Sequence, residues 1–212
     1  MKFKTAAALM AAQVLLAGGA HASEDGPYAG AALGAVRSGL SSEFKDGLAR
    51  SFGSYGLNED NSDTAVRALL GYRFNRHFAV EGGWSDFGAA EGQASTTLPL
   101  ARVSTARETA AWFVDAVGVL PVGDRFDLTG RIGVAFWRVE ARTTTTLAVS
   151  SVAATAAQTQ NGTSPRLGIG AQYRLSEKVR LALELESFRA GKSGDVGRST
   201  VSTVFAGIKL AF

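Results

Sequence analysis

Apolar and polar residues alternate at period two along most of the chain after residue 26. Val66, Ala68, Leu70, Tyr72 and Phe74 interleave with Ala65, Arg67, Leu69, Gly71 and Arg73. Phe78, Val80, Gly82 and Trp84 interleave with His77, Ala79, Glu81 and Gly83. Leu128, Gly130, Ile132, Val134 and Phe136 interleave with Asp127, Thr129, Arg131 and Gly133. Leu167, Ile169, Ala171, Tyr173 and Leu175 interleave with Arg166, Gly168, Gly170, Gln172 and Arg174. Val179, Leu181, Leu183 and Leu185 interleave with Arg180, Ala182, Glu184 and Glu186. In an extended chain successive side chains point to opposite faces, so each run predicts a strand with one greasy and one mixed face. A Gly/Ala-rich strand from Tyr28 to Val36 and one from about Arg107 to Leu120 complete the set, with Trp112, Val114 and Ala116 facing away from Asp115. The last strand, Val204 to Phe212, sets Val204, Ala206, Ile208, Leu210 and Phe212 against Phe205, Gly207, Lys209 and Ala211.

The connections alternate in length. Long segments are expected at Arg37 to Ser62, Gly88 to Ala106 and Val139 to Ser164, with a medium one at Arg189 to Ser199. Tight turns are expected at Asn75-Arg76, Pro121 to Arg125 and Ser176 to Lys178. An up-and-down meander gathers the long connections at one end and the short ones at the other. That is the plan of an outer-membrane barrel, whose strands need about 9–11 residues to cross the bilayer. The predicted class is all-β: an eight-stranded antiparallel up-and-down transmembrane barrel.

The second face decides which way the barrel is turned. A lipocalin-like soluble barrel has an apolar lumen and a wet exterior. Here the second face is rich in Gly and Ala with single charges, which suits a narrow lumen better than an exposed strand surface. Its charges are mixed: Arg67, Arg131, Arg180 and Lys209 against Glu81, Asp115, Asp127, Glu184 and Glu186. Buried charges need opposite partners. Arg67, Glu81, Asp115, Arg131, Glu184, Glu186 and Lys209 are therefore expected to form a structural ion network in the lumen, Arg131 lying among carboxylates with Glu184 as its leading partner. Phe74, Phe78, Phe126 and Phe212 fall at the short-turn end, and Trp84 and Phe136 toward the other. Two aromatic girdles are the mark of two membrane interfaces.

Composition narrows the function classes. The basic MKFK, the apolar TAAALMAAQVLLAGGA and the small-x-small Ala20-His21-Ala22 read as a secretory signal peptide over residues 1–22, leaving 23–212 as the barrel domain. A transmembrane anchor needs a longer apolar run. Lys and Arg number 22 against 19 Asp and Glu. Without Lys2 and Lys4 the balance is 20 against 19, net +1, which gives no reason to expect a nucleic-acid partner. There is no Cys, and His77 is the only histidine after the leader, so neither a zinc site nor a nucleophile–histidine pair is expected. Glu184 and Glu186 sit two apart among cations, which reads as ion pairing rather than a catalytic pair. Gly168-Ile169-Gly170 lacks the spacing and following helix of a phosphate loop. No catalytic residue, metal or cofactor is assigned.

PYAGAALGAV (27–36), LGYRFNRHFAVEGGWSDFG (70–88), FDLTGRIGVAFWRVE (126–140) and SPRLGIGAQYRLSEKVRLALELESF (164–188) resemble the OmpA-type transmembrane domain and related small outer-membrane antigens of Gram-negative bacteria. The resemblance implies an exported, monomeric protein in outer-membrane lipid and lipopolysaccharide. It also implies that Ile208, Leu210 and Phe212 form the terminal signal read by the barrel assembly machinery. Gln172 and Ala182 stand where the family's best-known member has an interior Glu and Arg, so the lumen is expected to be wired differently. The peptidoglycan-binding domain of larger members is not expected here. The expected role is structural and surface-displaying. Two alternatives are adhesion to a host or phage ligand through the loops, and a narrow ion-conducting pore.

Overall fold

The computed structural model describes residues 25–38, 55–60, 62–97, 100–147, 153–191 and 199–212. The expected leader lies outside them. The strands are β1 (Gly26–Ser38), β2 (Tyr55–Asp60), β3 (Ser62–Asn75), β4 (Phe78–Thr97), β5 (Leu100–Pro121), β6 (Phe126–Leu147), β7 (Ala153–Arg174), β8 (Val179–Ala190) and β9 (Ser199–Ala211). All ladders are antiparallel, in the order β2-β4-β3-β1-β9-β8-β7-β6-β5, and a β4–β5 pairing closes the sheet on itself. β2 and β3 both pair with β4, at Glu91–Thr96 and at Phe78–Asp86, so they lie end to end as one stave. The result is a closed eight-strand barrel. Closure removes the open edges that a flat sheet would leave. The last strand closes it: Ala211 N–H donates to the Lys178 carbonyl at 2.8 Å and Phe212 N–H to the Pro27 carbonyl at 3.1 Å.

Alternation places the side chains. Outward go Leu70, Tyr72, Phe74, Val80, Val114, Ile132, Leu167, Ile169, Leu183 and Leu185, each more than a third exposed. Trp84, Trp112 and Phe136 are successive cross-strand partners and form an aromatic row around one end of this band. Tyr72 and Phe74, 5.0 Å apart, with Phe78, Phe126 and Tyr173, mark the other end. Between the Trp112 and Leu120 levels lie about eight residues, or roughly 20 Å after tilt, close to the ~25 Å apolar band of outer-membrane barrels. Immediately beyond Phe136 the same face turns polar with Arg138, Glu140 and Arg142.

Two expectations change. The segments Gly88 to Ala106 and Val139 to Ser164 are not loops over most of their length. β4, β5, β6 and β7 run 20, 22, 22 and 22 residues, about twice what the bilayer requires. Likewise, Arg37 to Ser62 contains β2. These stretches are rich in Thr, Ala and Ser with weak apolar contrast, so alternation could not reveal them, although Thr suits a strand. The wall gives way to the projecting sheet at a bulge between Asp86 and Ala89. There Gly88 has φ +68°, and a Cβ would lie 2.1 Å from Asp63 Oδ2. Asp63 bridges the bulge by accepting from Thr64 N–H at 2.6 Å and Ala89 N–H at 2.5 Å.

The second change concerns the lumen, which is not filled by glycine and ions alone. Phe87, Trp137, Val139, Phe188, Val201 and Phe205 form a buried apolar cluster toward the projecting sheet. Tyr28, Leu69, Phe113, Val117 and Val119 form a second cluster toward the short turns.

Candidate functional site

Between these two clusters the inner face carries a belt of charge. Arg67 (β3), Glu81 (β4), Asp115 (β5), Arg131 (β6), Arg166 (β7), Glu184 and Glu186 (β8) and Lys209 (β9) are all buried to 4% exposure or less. Each sits at an inward position of its strand, which is why parity alone brings them to one tube. The belt is one connected chain. Asp115 pairs with Arg166 at 2.8 Å, and Arg166 with Glu186. Glu186 also holds Arg67, which reaches Glu184 at 2.8 Å. Glu184 holds Arg131 at 2.5 Å and Lys209 at 2.9 Å. Both return to Glu81, at 3.3 and 2.5 Å, and Glu81 accepts the Tyr28 hydroxyl of β1 at 2.8 Å. All eight staves are thereby tied across the lumen. Four cations face four carboxylates, so the charge of the belt balances.

Rings sandwich the guanidiniums. Arg67 lies 3.7 Å from the Phe205 ring centroid and Arg166 3.9 Å from that of Phe113. Such contacts strengthen when desolvated. A separate pair, Arg73 and Asp127 at 3.8 Å, lies nearer the short turns. Arg180 is also buried.

Glycine makes this packing feasible. Large inner side chains sit directly across from glycines on neighbouring strands: Tyr28 from Gly71, Asp115 from Gly133, Arg131 from Gly168, Phe205 from Gly34. A Cβ at Gly71 would fall 2.3 Å from the Tyr28 ring, and one at Gly34 2.7 Å from the Phe205 ring. The missing Cβ lets each large group lie flat over the adjacent strand. Beside Glu184 and Lys209 the remaining space is only about 10 Å³, roughly one water.

The structure thus brings together Arg67, Glu81, Asp115, Arg131, Glu184, Glu186 and Lys209. Sequence reasoning omits Arg166 from the set, although its parity puts it on the same face. Tyr28 lies in a Gly/Ala-rich strand whose alternation is weak. His77 is in the β3–β4 turn, away from the belt, with Nδ1 3.3 Å from the Val119 carbonyl oxygen. Glu184 and Glu186 are each held by two or more cations, which leaves neither as a free base. Among the described residues no group of three His, Asp or Glu is placed to hold a metal. Ile208, Leu210 and Phe212 lie in or directly after β9, with Ile208 40% exposed on the outer wall.

Outside the apolar band, β2, β4, β5, β6 and β7 continue as a projecting sheet. β7 pairs with β8 from Arg166, opposite Phe188, to Arg174, opposite Arg180. From Ala153 to Pro165, the strand that β7 pairs with among the described residues is β6.

The fold is shared with known barrels. Ail, the attachment invasion locus protein of Yersinia pestis, superposes with a TM-score of 0.50 at 14% identity, covering 89% of this chain and 99% of that one. Neisserial surface protein A superposes with a TM-score of 0.52 at 13% identity, covering 91% and 100%. At such identity the likeness establishes fold alone. No curated protein sequence matches the chain. A family model, the OmpA-like transmembrane domain, matches residues 22–212. The chain is therefore an outer-membrane β-barrel of bacteria and belongs to the OmpA-like transmembrane domain family.

Proposed function

We propose that this protein is a structural, surface-displaying barrel: a sealed staple in the outer membrane that holds a stiff β-sheet outside the cell. The observation that carries this reading is the length of β4 to β7, whose 20–22 residues exceed what the bilayer needs by about ten each. A hydrogen-bonded sheet keeps its shape where separate loops would not. Adhesion is the second reading, since the β6–β7 hairpin stands beyond the apolar band with residues 155–159 exposed, where a surface segment is free to meet a partner. The narrow-pore alternative draws no support from a lumen with an apolar cluster on each side of its ion belt. An enzymatic role draws no support from His77, which contacts Arg76 and the Val119 carbonyl oxygen rather than a nucleophile. In this reading residues 1–22 direct export, and Ile208, Leu210 and Phe212 present the closing strand to the assembly machinery.

The test is an epitope inserted between residues 147 and 153, at the far end of the β6–β7 hairpin. Antibody should reach it on intact cells. Access only after the cells are broken open would place the sheet on the periplasmic side and end the display reading.

A further inference from the structure

Much of the outward band is covered by large apolar side chains, but the wall beside the short turns is hollow. Gly118 of β5 and Gly130 of β6 are direct cross-strand partners, and Phe78 of β4 lies across from Gly118 on its other side. Both glycines point outward. A Cβ at Gly130 would meet nothing within 4 Å, and one at Gly118 only the Gly130 carbonyl oxygen, at 3.8 Å. Unlike Gly71 and Gly34, these glycines make room for no part of this chain. They form the floor of an open groove of about 500 Å³ on the outer wall, flanked by Phe78, Leu120 and Leu128, with His77 at its end.

A groove facing hydrocarbon is not left empty. Its lining atoms would forfeit dispersion contacts, and its apolar walls offer water no partners. Its position narrows the occupant. Phe78 follows the β3–β4 turn, and Leu120 and Leu128 bracket the β5–β6 turn, so the groove lies at the short-turn end. In outer-membrane barrels that end is periplasmic, and the surrounding leaflet is glycerophospholipid. At the mouth, Arg76 Nε–H donates to His77 Nε2 at 3.0 Å. His77 Nδ1 is 3.3 Å from the Val119 carbonyl oxygen, and Val119 N–H donates to the His77 carbonyl at 2.8 Å. These contacts set His77 Nε2 toward Arg76 and Nδ1 toward the Val119 carbonyl oxygen. They fix Arg76 beside the groove, at headgroup level. Arg125 and Asp124 occupy the neighbouring turn.

We propose that this groove is a phospholipid site: one acyl chain of an inner-leaflet glycerophospholipid lies over Gly118 and Gly130, and Arg76 holds its phosphate. Arg76 gives an anionic lipid preference, because a basic side chain near the surface favours anionic headgroups.

The test is native mass spectrometry of the full chain, refolded with equal phosphatidylglycerol and phosphatidylethanolamine and released from detergent. The wild type should retain one phospholipid per barrel, enriched in phosphatidylglycerol. Gly130→Leu fills the groove and should cut retention at least fivefold. Ala206→Leu, on another part of the wall, should leave it unchanged. Arg76→Gln should lower the phosphatidylglycerol preference about fivefold. Heat-modifiable migration checks that each variant folds. If Gly130→Leu does not fold, Gly130→Ala and Arg76→Gln carry the same comparison. Equal retention by wild type and the groove variants overturns the proposal, as does a wild type that retains no lipid. A wild-type dimer that Gly130→Leu dissolves would make the occupant a second copy, and that also overturns it.

Discussion

At the scale of the residue, two habits shape the lumen: large inner side chains such as Tyr28, Arg131 and Phe205 face a glycine on the next strand, and the charges of the belt meet opposite ones. Removing Arg131 leaves Glu81 and Glu184 with Lys209 as their shared remaining partner on this side of the belt. Truncating one member of a buried pair costs about 3–5 kcal/mol, so Arg131→Leu should lower unfolding stability in lipid by about 3 kcal/mol. Arg138 offers the contrast. It pairs with Glu140 at 2.8 Å, but the two side chains are 61% and 42% exposed. Exposed pairs contribute about 0–1 kcal/mol, so Arg138→Leu should change little. Urea titrations of both variants in the same bilayer decide the matter, and equal effects would mean that the belt is solvated. Parity alone identifies the inner charges. It does not encode which charges meet, since Arg166 reaches Asp115 and Glu186 only through the register of β5, β7 and β8. It also places Leu69, Phe113 and Phe205 inside. Their packing into two apolar clusters depends on which strands carry glycine opposite them, and that too follows from register.

At the scale of the element, the membrane-crossing strands were legible because lipid demands strong contrast between their two faces. The projecting parts of β4 to β7 have water on at least one side and need no such contrast. Thr144 and Thr155 are cross-strand partners with hydroxyls 3.3 Å apart, a surface ladder that leaves no apolar signature. The anchor of the β6–β7 hairpin is also hidden from pattern reading. Val139 is fully buried, and Trp137 Nε1–H donates to Ser164 Oγ at 2.9 Å. Cutting at Val139 would therefore open the apolar cluster, whereas the Arg142–Ala157 pair lies beyond it. Replacing residues 143–156 by Asn-Gly, a favoured two-residue hairpin turn, should leave folding and heat-modifiable migration intact. If adhesion runs through the β6–β7 hairpin, the same variant should lose binding to host cells. A variant that fails to fold would show that the projecting sheet helps to hold the barrel.

At the scale of the whole molecule, the tube is turned so that its oily surface faces outward and its ions face one another. That arrangement is opposite to a soluble barrel and rests on the same alternation. The two apolar clusters flank the ion belt on either side, which fits a staple better than a conduit. The chain contains no cysteine, so single cysteines can be introduced without background. The most direct test of the orientation is the labelling rate of folded, membrane-embedded protein with a charged, water-soluble maleimide. Cysteines at Leu167 and Leu183, both more than half exposed on the outer wall, are compared with one at Asp124 in the β5–β6 turn. The account predicts that Leu167→Cys and Leu183→Cys react at least tenfold more slowly than Asp124→Cys in open membranes. Equal rates at the three positions would contradict it.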